Sequence, residues 1–330
     1  MVKVAINGFG RIGRLLFRQL QEEKDIKVVA VNDLGSVENL SYLLKYDSVY
    51  GRFDKGLKEV KVLKEKDPAK LPWKELGVDI VVEATGVFDS YEKAKVHLTA
   101  GAKRVVITAP AKDSDGENGR TILSGVNEKD MGLCTISSNG SCTTNAASPV
   151  ISVLSLNPGI QKAVLNTTHG YTATQSLVDG PSHGRDVRRG RAAAQNIIPS
   201  TTGAANTVTR AIPELEGKFD GIALRVPVVA GSIADITFVA KKKTSVEEIN
   251  SILSKAASLA QWKGILKVTE DPVVSSDILK EPYSAIVDLN FTKVVDGDLV
   301  KVLSWYDNEW GYTATLLRHV IISAKAIKNN

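Results

Sequence analysis

Cys142 and His169 are the two residues of this sequence whose types and surroundings are best suited to covalent chemistry. Cys142 lies within Ser141-Cys142-Thr143-Thr144-Asn145, and His169 follows 27 positions later, just before Gly170. A thiolate is a strong nucleophile, and an imidazole can accept and return a proton near neutral pH. The pair therefore predicts nucleophilic catalysis by Cys142 with His169 as the base.

An apolar run at 146–154 follows the cysteine and predicts a helix with Cys142 in its first turn. Unpaired backbone N–H groups and the helix dipole at that position favour a thiolate, with a pKa lowered to about 3.5–7.5. The alternative for Cys142 is a buried structural thiol, and the alternative for His169 is a structural histidine. The hydroxyl-rich neighbours of Cys142, and the glycine and threonines beside His169, favour the catalytic interpretation.

A second motif, Gly8-x-Gly10-x-x-Gly13, follows a short apolar strand and opens a helix. Asp33 ends the next strand, 20 residues after Gly13. This context is the fingerprint of a dinucleotide site, in which the pyrophosphate meets the helix N-terminus. The Asp33 carboxylate suits the two ribose hydroxyls of NAD and would repel a 2′-phosphate, so we expect NAD rather than NADP.

The pattern of the predicted strands and helices that must position these residues changes at Cys142. Before it, strands alternate with helices, which predicts an α/β fold with a doubly wound parallel sheet. The strands are 3–7, 26–33, 79–86 and 104–108, and the helices are 14–23, 39–46 and 91–100. After it, longer alternating strands predict an α+β region with a mostly antiparallel or mixed sheet. These later elements are strands 221–229, 233–241 and 284–295, a turn at Asp296-Gly297, a helix at 244–260 capped by Ser245, and a last helix at 312–327.

Composition limits the protein class. The 330 residues are 43% hydrophobic and 24% charged, with a net charge of +5 from 42 basic and 37 acidic residues. This is ordinary for a globular protein of two domains, and the mild basicity suits anionic small molecules. No apolar run approaches the ~18 residues of a membrane span. We expect no signal peptide, a reducing cytoplasmic location and no metal, because no Cys/His pair has metal-ligand spacing.

Beyond these two motifs, the sequence resembles the phosphorylating glyceraldehyde-3-phosphate dehydrogenase family along essentially its whole length. The segments that carry the resemblance occur in the family's order: 5–14, 42–48, 83–86, 141–145, 169–172, 199–205, 224–227 and 305–312. One such segment could be coincidence, whereas all of them in order are highly specific.

The resemblance implies oxidation of D-glyceraldehyde 3-phosphate to 1,3-bisphosphoglycerate with NAD and inorganic phosphate, in glycolysis and gluconeogenesis. The Cys142 thiolate would form a thiohemiacetal and then a thioester, with His169 as base. The Cys142 backbone N–H would help to stabilise the oxyanion. The family also implies a homotetramer.

The resemblance further implies the binding residues. The cofactor residues would be Gly8, Gly10, Arg11, Ile12, Gly13, Asp33, Thr85, Gly86, Thr108 and Asn308. The substrate phosphate would be bound by Thr172, Arg189 and Arg225. The attacking phosphate would be bound by Ser141, Thr143, Thr202 and Gly203. The NAD-binding domain would comprise 1–140 and 309–330, with the last helix packing back on it, and the catalytic domain would be 141–308.

Three features leave room for interpretation. The loop at 179–191 is basic, glycine-rich and too irregular for helix or strand, and its residues 183–185 shift its charge and weaken the assignment of Arg189. It resembles the family's loop at the tetramer core, although a solvated face or a nucleic-acid patch would have similar composition. Ala146 replaces the second cysteine of many relatives, so we expect peroxide to leave Cys142 as a sulfenic acid without a disulfide to this helix. The segment 228–232 differs from the commonest family version, and we expect this difference to have no direct effect on a catalytic role.

Other functions remain open at this point. Erythrose-4-phosphate dehydrogenase is the alternative within the same chemistry, since it shares the Cys-His pair. A semialdehyde dehydrogenase also joins a dinucleotide fold to a catalytic cysteine, but it would not need the segment 305–312 or two anion sites. A nucleic-acid-binding protein would use the +5 charge, yet no aromatic residues interleave with the basic ones, so such binding is at most secondary.

Overall fold

The computed structural model describes residues 1–182 and 186–328. The contacts among their Cα atoms divide them into two compact units. Unit 1 is Met1–Ser141 together with the segment from Thr313 onward, and unit 2 is Cys142–Tyr312. Residues 183–185 of the basic loop lie outside the described residues, so their expected effect on its charge stays a prediction.

The described elements occur in a fixed chain order. The strands are β1 (Val2–Asn7), β2 (Ile26–Asn32), β3 (Lys61–Leu63), β4 (Ile80–Glu83), β5 (Arg104–Ile107), β6 (Arg120–Thr121), β7 (Ile136–Ser138), β8 (Ile160–Gly170), β9 (Ile198–Thr201), β10 (Phe219–Val226), β11 (Ser232–Ala240), β12 (Leu266–Thr269), β13 (Ala285–Val295) and β14 (Leu299–Tyr306). The α-helices are α1 (Arg11–Leu20), α2 (Val37–Lys45), α3 (Trp73–Leu76), α4 (Tyr91–Thr99), α5 (Cys142–Leu156), α6 (Ala204–Ala211), α7 (Val246–Ala257) and α8 (Trp310–Lys328).

Unit 1 contains a seven-stranded sheet in the order β3-β2-β1-β4-β5-β7-β6, in which all neighbours are parallel. Val4 and Ile6 of β1 are completely buried, as expected for a strand covered on both faces. They share a core with Leu316 and Val320, so α8 packs within this unit. The predicted doubly wound parallel sheet is confirmed.

Unit 2 contains a seven-stranded mixed sheet in the order β12-β13-β14-β11-β8-β10-β9. Asp296 and Gly297 both have positive φ, 48° and 74°, which is the geometry of a two-residue hairpin turn between β13 and β14. The Ser245 hydroxyl accepts a hydrogen bond from Glu248 N and so caps α7. The predicted antiparallel or mixed sheet is confirmed, with the parallel pairs β8–β10 and β12–β13.

The ends of the predicted helices and strands differ from the observed ends by at most three residues. One prediction was wrong in detail: within the loop at 179–191, Val187–Gly190 form a short 3₁₀ helix. Its first turn is capped by Asp186, whose carboxylate accepts from Arg188 N. A single capped turn of this kind has no periodic pattern that a sequence could show.

Candidate active site and cofactor site

The turn after β1 has the geometry that its glycine spacing predicts. Gly8 has φ +96°, and a Cβ there would lie 2.6 Å from the carbonyl carbon of Ala84. A Cβ on Gly13 would lie 2.1 Å from Gly8 O, so only glycine lets α1 approach the turn. Gly10, by contrast, has open space where a Cβ would be and lines a cavity of about 520 Å³. These residues fit a dinucleotide whose pyrophosphate approaches the backbone at the start of α1.

Asp33 lies in the lining of the same cavity. Its Oδ2 accepts a hydrogen bond from Phe9 N at 2.8 Å, and its Oδ1 accepts one from Gly35 N at 2.9 Å. Each carboxylate oxygen keeps a second acceptor direction, so the side chain can still bind ribose hydroxyls. Asp33 therefore also holds the glycine turn in place, a role that the sequence did not suggest.

Arg11 and Ile12 begin α1, and neither is among the residues that line the cavity. The Arg11 guanidinium lies 2.5 Å from Asp47 and over the ring of Tyr50. Ile12 is half-buried and packs against the core of unit 1. Their backbone N–H groups belong to the first turn of α1, where helix N–H groups lack intrahelical acceptors.

Thr85, Gly86 and Thr108 follow two neighbouring strands of unit 1. The Thr85 side chain donates to Glu83 at the end of β4, and Gly86 adopts φ +72°. Thr108 N donates to the Glu83 carbonyl at 3.0 Å, so it lies beside the end of β4. Ligands in parallel sheets bind outside the carboxyl ends of the strands, which is where these residues lie.

In unit 2, Cys142 begins α5 and His169 lies near the end of β8. The Cys142 Sγ atom is 3.3 Å from His169 Nε2, and His169 is buried. The imidazole packs edge-on against the ring of Tyr306, with 5.9 Å between ring centroids. A nucleophile and a base within hydrogen-bond distance form the minimal unit of nucleophilic catalysis.

The pKa values of this pair differ from the sequence expectation. Burial, together with the positive charge of Arg225, lowers the pKa of His169 to about 3, so the imidazole is neutral at pH 7. Burial raises the pKa of the Cys142 thiol, while Arg225, Thr143 and backbone N–H groups lower it in part. The expected lowering of the thiol pKa was therefore wrong. Desolvation outweighs the helix terminus here.

Arg225 is brought to His169 by strand register. The parallel pairing of β10 with β8 sets Arg225 opposite His169. Its Nη1 lies 2.7 Å from His169 Nδ1 and 3.1 Å from Gly170 O, while Gly170 O lies 2.6 Å from Nδ1. An arginine can only donate, so its bond requires an unprotonated Nδ1, whereas a bond to Gly170 O requires a protonated one. The two arrangements therefore correspond to opposite tautomers of the imidazole.

The other two residues expected at the substrate phosphate are joined through a third hydroxyl. Thr172 Oγ1 lies 3.0 Å from Thr174 Oγ1, to which Arg189 Nη1 donates at 3.1 Å. Arg189 Nη2 also donates to Ser200 Oγ at 2.8 Å. The sequence analysis assigned no role to Thr174, which carries no local signal, or to Ser200, which appeared there only within the family segment 199–205.

The residues expected at the attacking phosphate lie at the starts of two packed helices, α5 and α6. Ser141 precedes α5 and Thr143 lies in its first turn. Thr202 Oγ1 accepts from Ala204 N at 3.2 Å, and Gly203 is the N-cap of α6, with open space at its Cβ position. Hydroxyls and first-turn N–H groups of this kind suit an anion.

Tyr306 is a further residue that the sequence analysis missed. Its hydroxyl lies 2.9 Å from Thr143 Oγ1 and 2.7 Å from Thr167 Oγ1, so it joins α5 to β8. Burial raises the pKa of Tyr306, which keeps the phenol neutral as a donor. In the sequence it appears as an aromatic residue of an alternating strand, which more often indicates packing.

Asn308 is held by the segment 228–232. Its Oδ1 accepts from Gly231 N at 3.0 Å and from Ser232 Oγ at 2.9 Å. Ser232 Oγ also accepts from Gly170 N at 3.2 Å, the residue after His169. The segment therefore contacts Gly170, next to His169, and the candidate cofactor residue Asn308, while the expectation that it has no direct catalytic role stays a prediction. Both bonds use the amide oxygen, which leaves Nδ2 as the atom of Asn308 that donates.

Residues 1–182 and 186–328 contain neither a candidate metal-binding cluster nor a candidate membrane-spanning helix. No group of three or more histidine, cysteine or acidic side chains there is arranged to hold a metal ion. Within the same residues, no helix has both the length and the apolar character needed to cross a membrane.

Family models match both halves of the chain. Residues 2–91 match the model described as glyceraldehyde 3-phosphate dehydrogenase, NAD binding domain. Residues 141–308 match the model described as glyceraldehyde 3-phosphate dehydrogenase, C-terminal domain.

Three relatives are similar to the chain over nearly its whole length. The glyceraldehyde-3-phosphate dehydrogenase of Streptomyces coelicolor is 47% identical, with 96% of each chain covered. The protein of the same name from Clostridium pasteurianum is 47% identical, covering 99% of this chain and all of its own. That of Mycobacterium tuberculosis is 48% identical, with 99% of each chain covered.

Proposed function

The chain belongs to the glyceraldehyde-3-phosphate dehydrogenase family, and from that premise we propose that it oxidises D-glyceraldehyde 3-phosphate to 1,3-bisphosphoglycerate. It is an NAD-dependent oxidoreductase that uses inorganic phosphate as the second substrate, in glycolysis and gluconeogenesis. The observation that carries the proposal is the distance of 3.3 Å between Cys142 Sγ and His169 Nε2. A nucleophilic sulfur beside a neutral base is what acyl transfer through a thioester requires.

The proposed steps use both atoms in turn. Cys142 Sγ bonds to the aldehyde carbon, while His169 Nε2 accepts the thiol proton and passes it to the aldehyde oxygen, giving a thiohemiacetal. NAD, when bound, supplies the hydride acceptor. His169 Nε2 accepts the hydroxyl proton as the carbon is oxidised to the thioester. A phosphate oxygen then attacks the thioester carbon, the C–S bond breaks, and the proton on His169 returns to the sulfur.

These steps need an unprotonated Nε2 and therefore a protonated Nδ1. Gly170 O, at 2.6 Å, is the acceptor for that Nδ1–H. Arg225 opposes this tautomer while it donates to Nδ1. We assign Arg225, with Thr172 and Arg189, to the substrate phosphate, because binding an anion there would turn its fork away from the ring.

The remaining site assignments follow the same chemistry. Ser141, Thr143, Thr202 and Gly203 are assigned to the attacking phosphate. The cofactor residues are Gly8, Gly10, Arg11, Ile12, Gly13, Asp33, Thr85, Gly86, Thr108 and Asn308, with Asn308 Nδ2 donating to the nicotinamide amide. Residues 1–140 and 309–330 are proposed as the NAD-binding domain and 141–308 as the catalytic domain.

We further propose a cytoplasmic homotetramer. Large aliphatic side chains on neighbouring strands β8 and β10 are strongly exposed, Val164 at 60% and Ile222 at 53%. Apolar surface of this kind on a sheet suits association with further copies of the chain. Light scattering after size exclusion should give a mass of four 35.5 kDa chains. A mass of one chain would contradict this part of the proposal.

The experiment that tests the function is NADH formation from glyceraldehyde 3-phosphate, with inorganic phosphate present or withheld. We expect sustained turnover only with phosphate, none in Cys142→Ser, and normal turnover in the matched control Cys134→Ser, which alters the other, buried cysteine. Faster turnover of erythrose 4-phosphate than of glyceraldehyde 3-phosphate would instead indicate erythrose-4-phosphate dehydrogenase. Turnover that survives Cys142→Ser would overturn the proposal.

A further inference from the structure

A buried carboxylate lies at the end of β4, directly beside the cofactor cavity of unit 1. Glu83 is 2% exposed. Its Oε2 accepts from Asn7 Nδ2 at 2.6 Å and from His97 Nε2 at 2.9 Å. Its Oε1 accepts from Thr85 N at 2.8 Å and from the Thr85 hydroxyl. The four donors are an amide, an imidazole N–H, a backbone N–H and a hydroxyl, so four hydrogen bonds take the place of water around this charge.

Trp73 fixes the tautomer of His97. The indole N–H can only donate, and it lies 3.1 Å from His97 Nδ1. Nδ1 is therefore unprotonated, which leaves the proton on Nε2, where it is donated to Glu83. His97 and Trp73 are both completely buried. The pair forms a rigid support behind Glu83.

The network continues sideways along the strand ends. Asn7 Oδ1 accepts from Asn32 Nδ2 at 2.7 Å, and Asn32 bonds both the N and the O of Glu65 at 2.9 Å. Asn7, Asn32, Glu65 and Thr85 all line the cavity of about 520 Å³. Because the strand order is β3-β2-β1-β4, Glu65 and Thr85 flank the crevice across β1 and β2.

Two contacts link this network to the surfaces that would meet the dinucleotide. The Gly8 turn rests on Ala84, since a Cβ on Gly8 would lie 2.6 Å from that backbone. Phe88 lines the cavity and packs edge-on against His97, with 6.1 Å between ring centroids. A shift of Glu83 would therefore move both the glycine turn and one wall of the cavity.

We propose that Glu83 is a positioning residue for NAD, held in place by His97 and Trp73. The carboxylate orients Thr85 and Asn7 so that the crevice has its binding shape before the cofactor arrives. Preorganisation of this kind increases affinity, since no ordering remains to be done on binding. The inference rests on the assignment of this cavity to NAD.

The test measures NAD binding by calorimetry for the full chain and for Glu83→Gln. A glutamine has the same shape but presents an NH₂ group to a site filled with donors, so one buried donor loses its acceptor. We expect the dissociation constant for NAD to rise by about 10–100-fold. At saturating NAD, kcat should stay within about threefold of the original, because a positioning residue does not touch the reacting atoms.

The loss of negative charge in Glu83→Gln would by itself change NAD affinity in the direction opposite to the one we expect. If only the charge of Glu83 mattered, removing a negative group near a diphosphate would tighten NAD binding. Binding by folded Glu83→Gln that equals or exceeds that of the unmodified protein overturns the proposal. NAD binding by the unmodified protein tests the cavity assignment separately.

Two further variants keep the test decisive if Glu83→Gln fails to fold. His97→Phe removes both ring nitrogens and should also weaken NAD binding, whereas His97→Gln, which keeps a donor towards Glu83, should restore most of it. Tyr91→Phe is the matched control, because it removes a buried hydroxyl from the same helix, α4, that bonds Asp115 at 2.7 Å. It should leave the NAD dissociation constant within about twofold, although it also removes a buried hydrogen bond. Unchanged NAD binding in His97→Phe overturns the proposal.

Discussion

Replacing Arg225 with glutamine should make the Cys142 thiol harder to ionise. The guanidinium lies 2.7 Å from one nitrogen of His169, and the sulfur lies 3.3 Å from the other. With the width of the ring included, the charge is no more than about 8 Å from the sulfur, where it is worth about 2 kcal/mol at an effective dielectric constant near 20. That energy corresponds to about 1.5 pH units.

The assay is the rate of alkylation of Cys142 by iodoacetamide between pH 6 and 10, followed by mass spectrometry without cofactor or substrate. Because Arg225 lowers the thiol pKa, its loss should move the midpoint to higher pH. Arg225→Lys retains the positive charge and is the control, with a midpoint close to that of the original protein. An unchanged or lower midpoint in folded Arg225→Gln would refute the placement of this charge beside the sulfur.

Three other perturbations test separate parts of the molecule. His169→Asn should lower kcat by about 10²–10⁴-fold while the thiol can still be alkylated, since only the base is removed; a smaller loss in steady-state assays would contradict its role. Asp33→Ala should weaken binding of both NAD and NADP, because two backbone N–H groups lose their acceptor. Asp33→Asn should mainly improve binding of NADP relative to NAD. Titration with both cofactors measures these affinities, and unaltered NAD affinity in Asp33→Ala would contradict the role given to Asp33. Burial lowers the pKa of His319 to about 3. Between pH 6.5 and 3 the unfolded chain therefore binds a proton at this residue that the folded chain does not. The neutral buried imidazole contributes its full stability above the ordinary pKa of 6.5, and this contribution is lost as pH falls towards 3. Urea unfolding at pH 5 and 7.5 should show about 2 kcal/mol less pH-dependent loss in His319→Gln than in the original protein; equal losses would exclude a neutral buried His319.

The sequence predicted those turns and helix starts that are determined by local backbone geometry. The spacing of Gly8, Gly10 and Gly13 specified a tight turn and a close helix because no Cβ fits at two of these positions. Ser245 and the Asp296-Gly297 pair marked a helix start and a hairpin for similar reasons of backbone geometry. The fold class, the family and the NAD cofactor were predicted correctly, while the roles of individual site residues remain predictions.

Contacts between distant segments could not be obtained in this way. Arg225 meets His169 because β10 pairs with β8 in one register, and a shift by one residue would point its side chain to the other face of the sheet. The Tyr306 hydroxyl joins Thr143 and Thr167, which lie 163 and 139 positions away along the chain. Glu83 appeared in the sequence only as part of a predicted strand and a family segment, and Trp73, which supports it through His97, gave no signal at all.

The sequence by itself determined which chemistry is available: a cysteine at a helix start, a histidine, and a glycine turn followed by an acidic residue. The tertiary structure decided the protonation states of the cysteine and the histidine. A helix terminus is a local feature and favours a thiolate, but desolvation depends on every segment that covers the sulfur, and here it raises the pKa of Cys142 and lowers that of His169. The tautomer of His97 is likewise set by Trp73, a neighbour that only folding brings within hydrogen-bond distance.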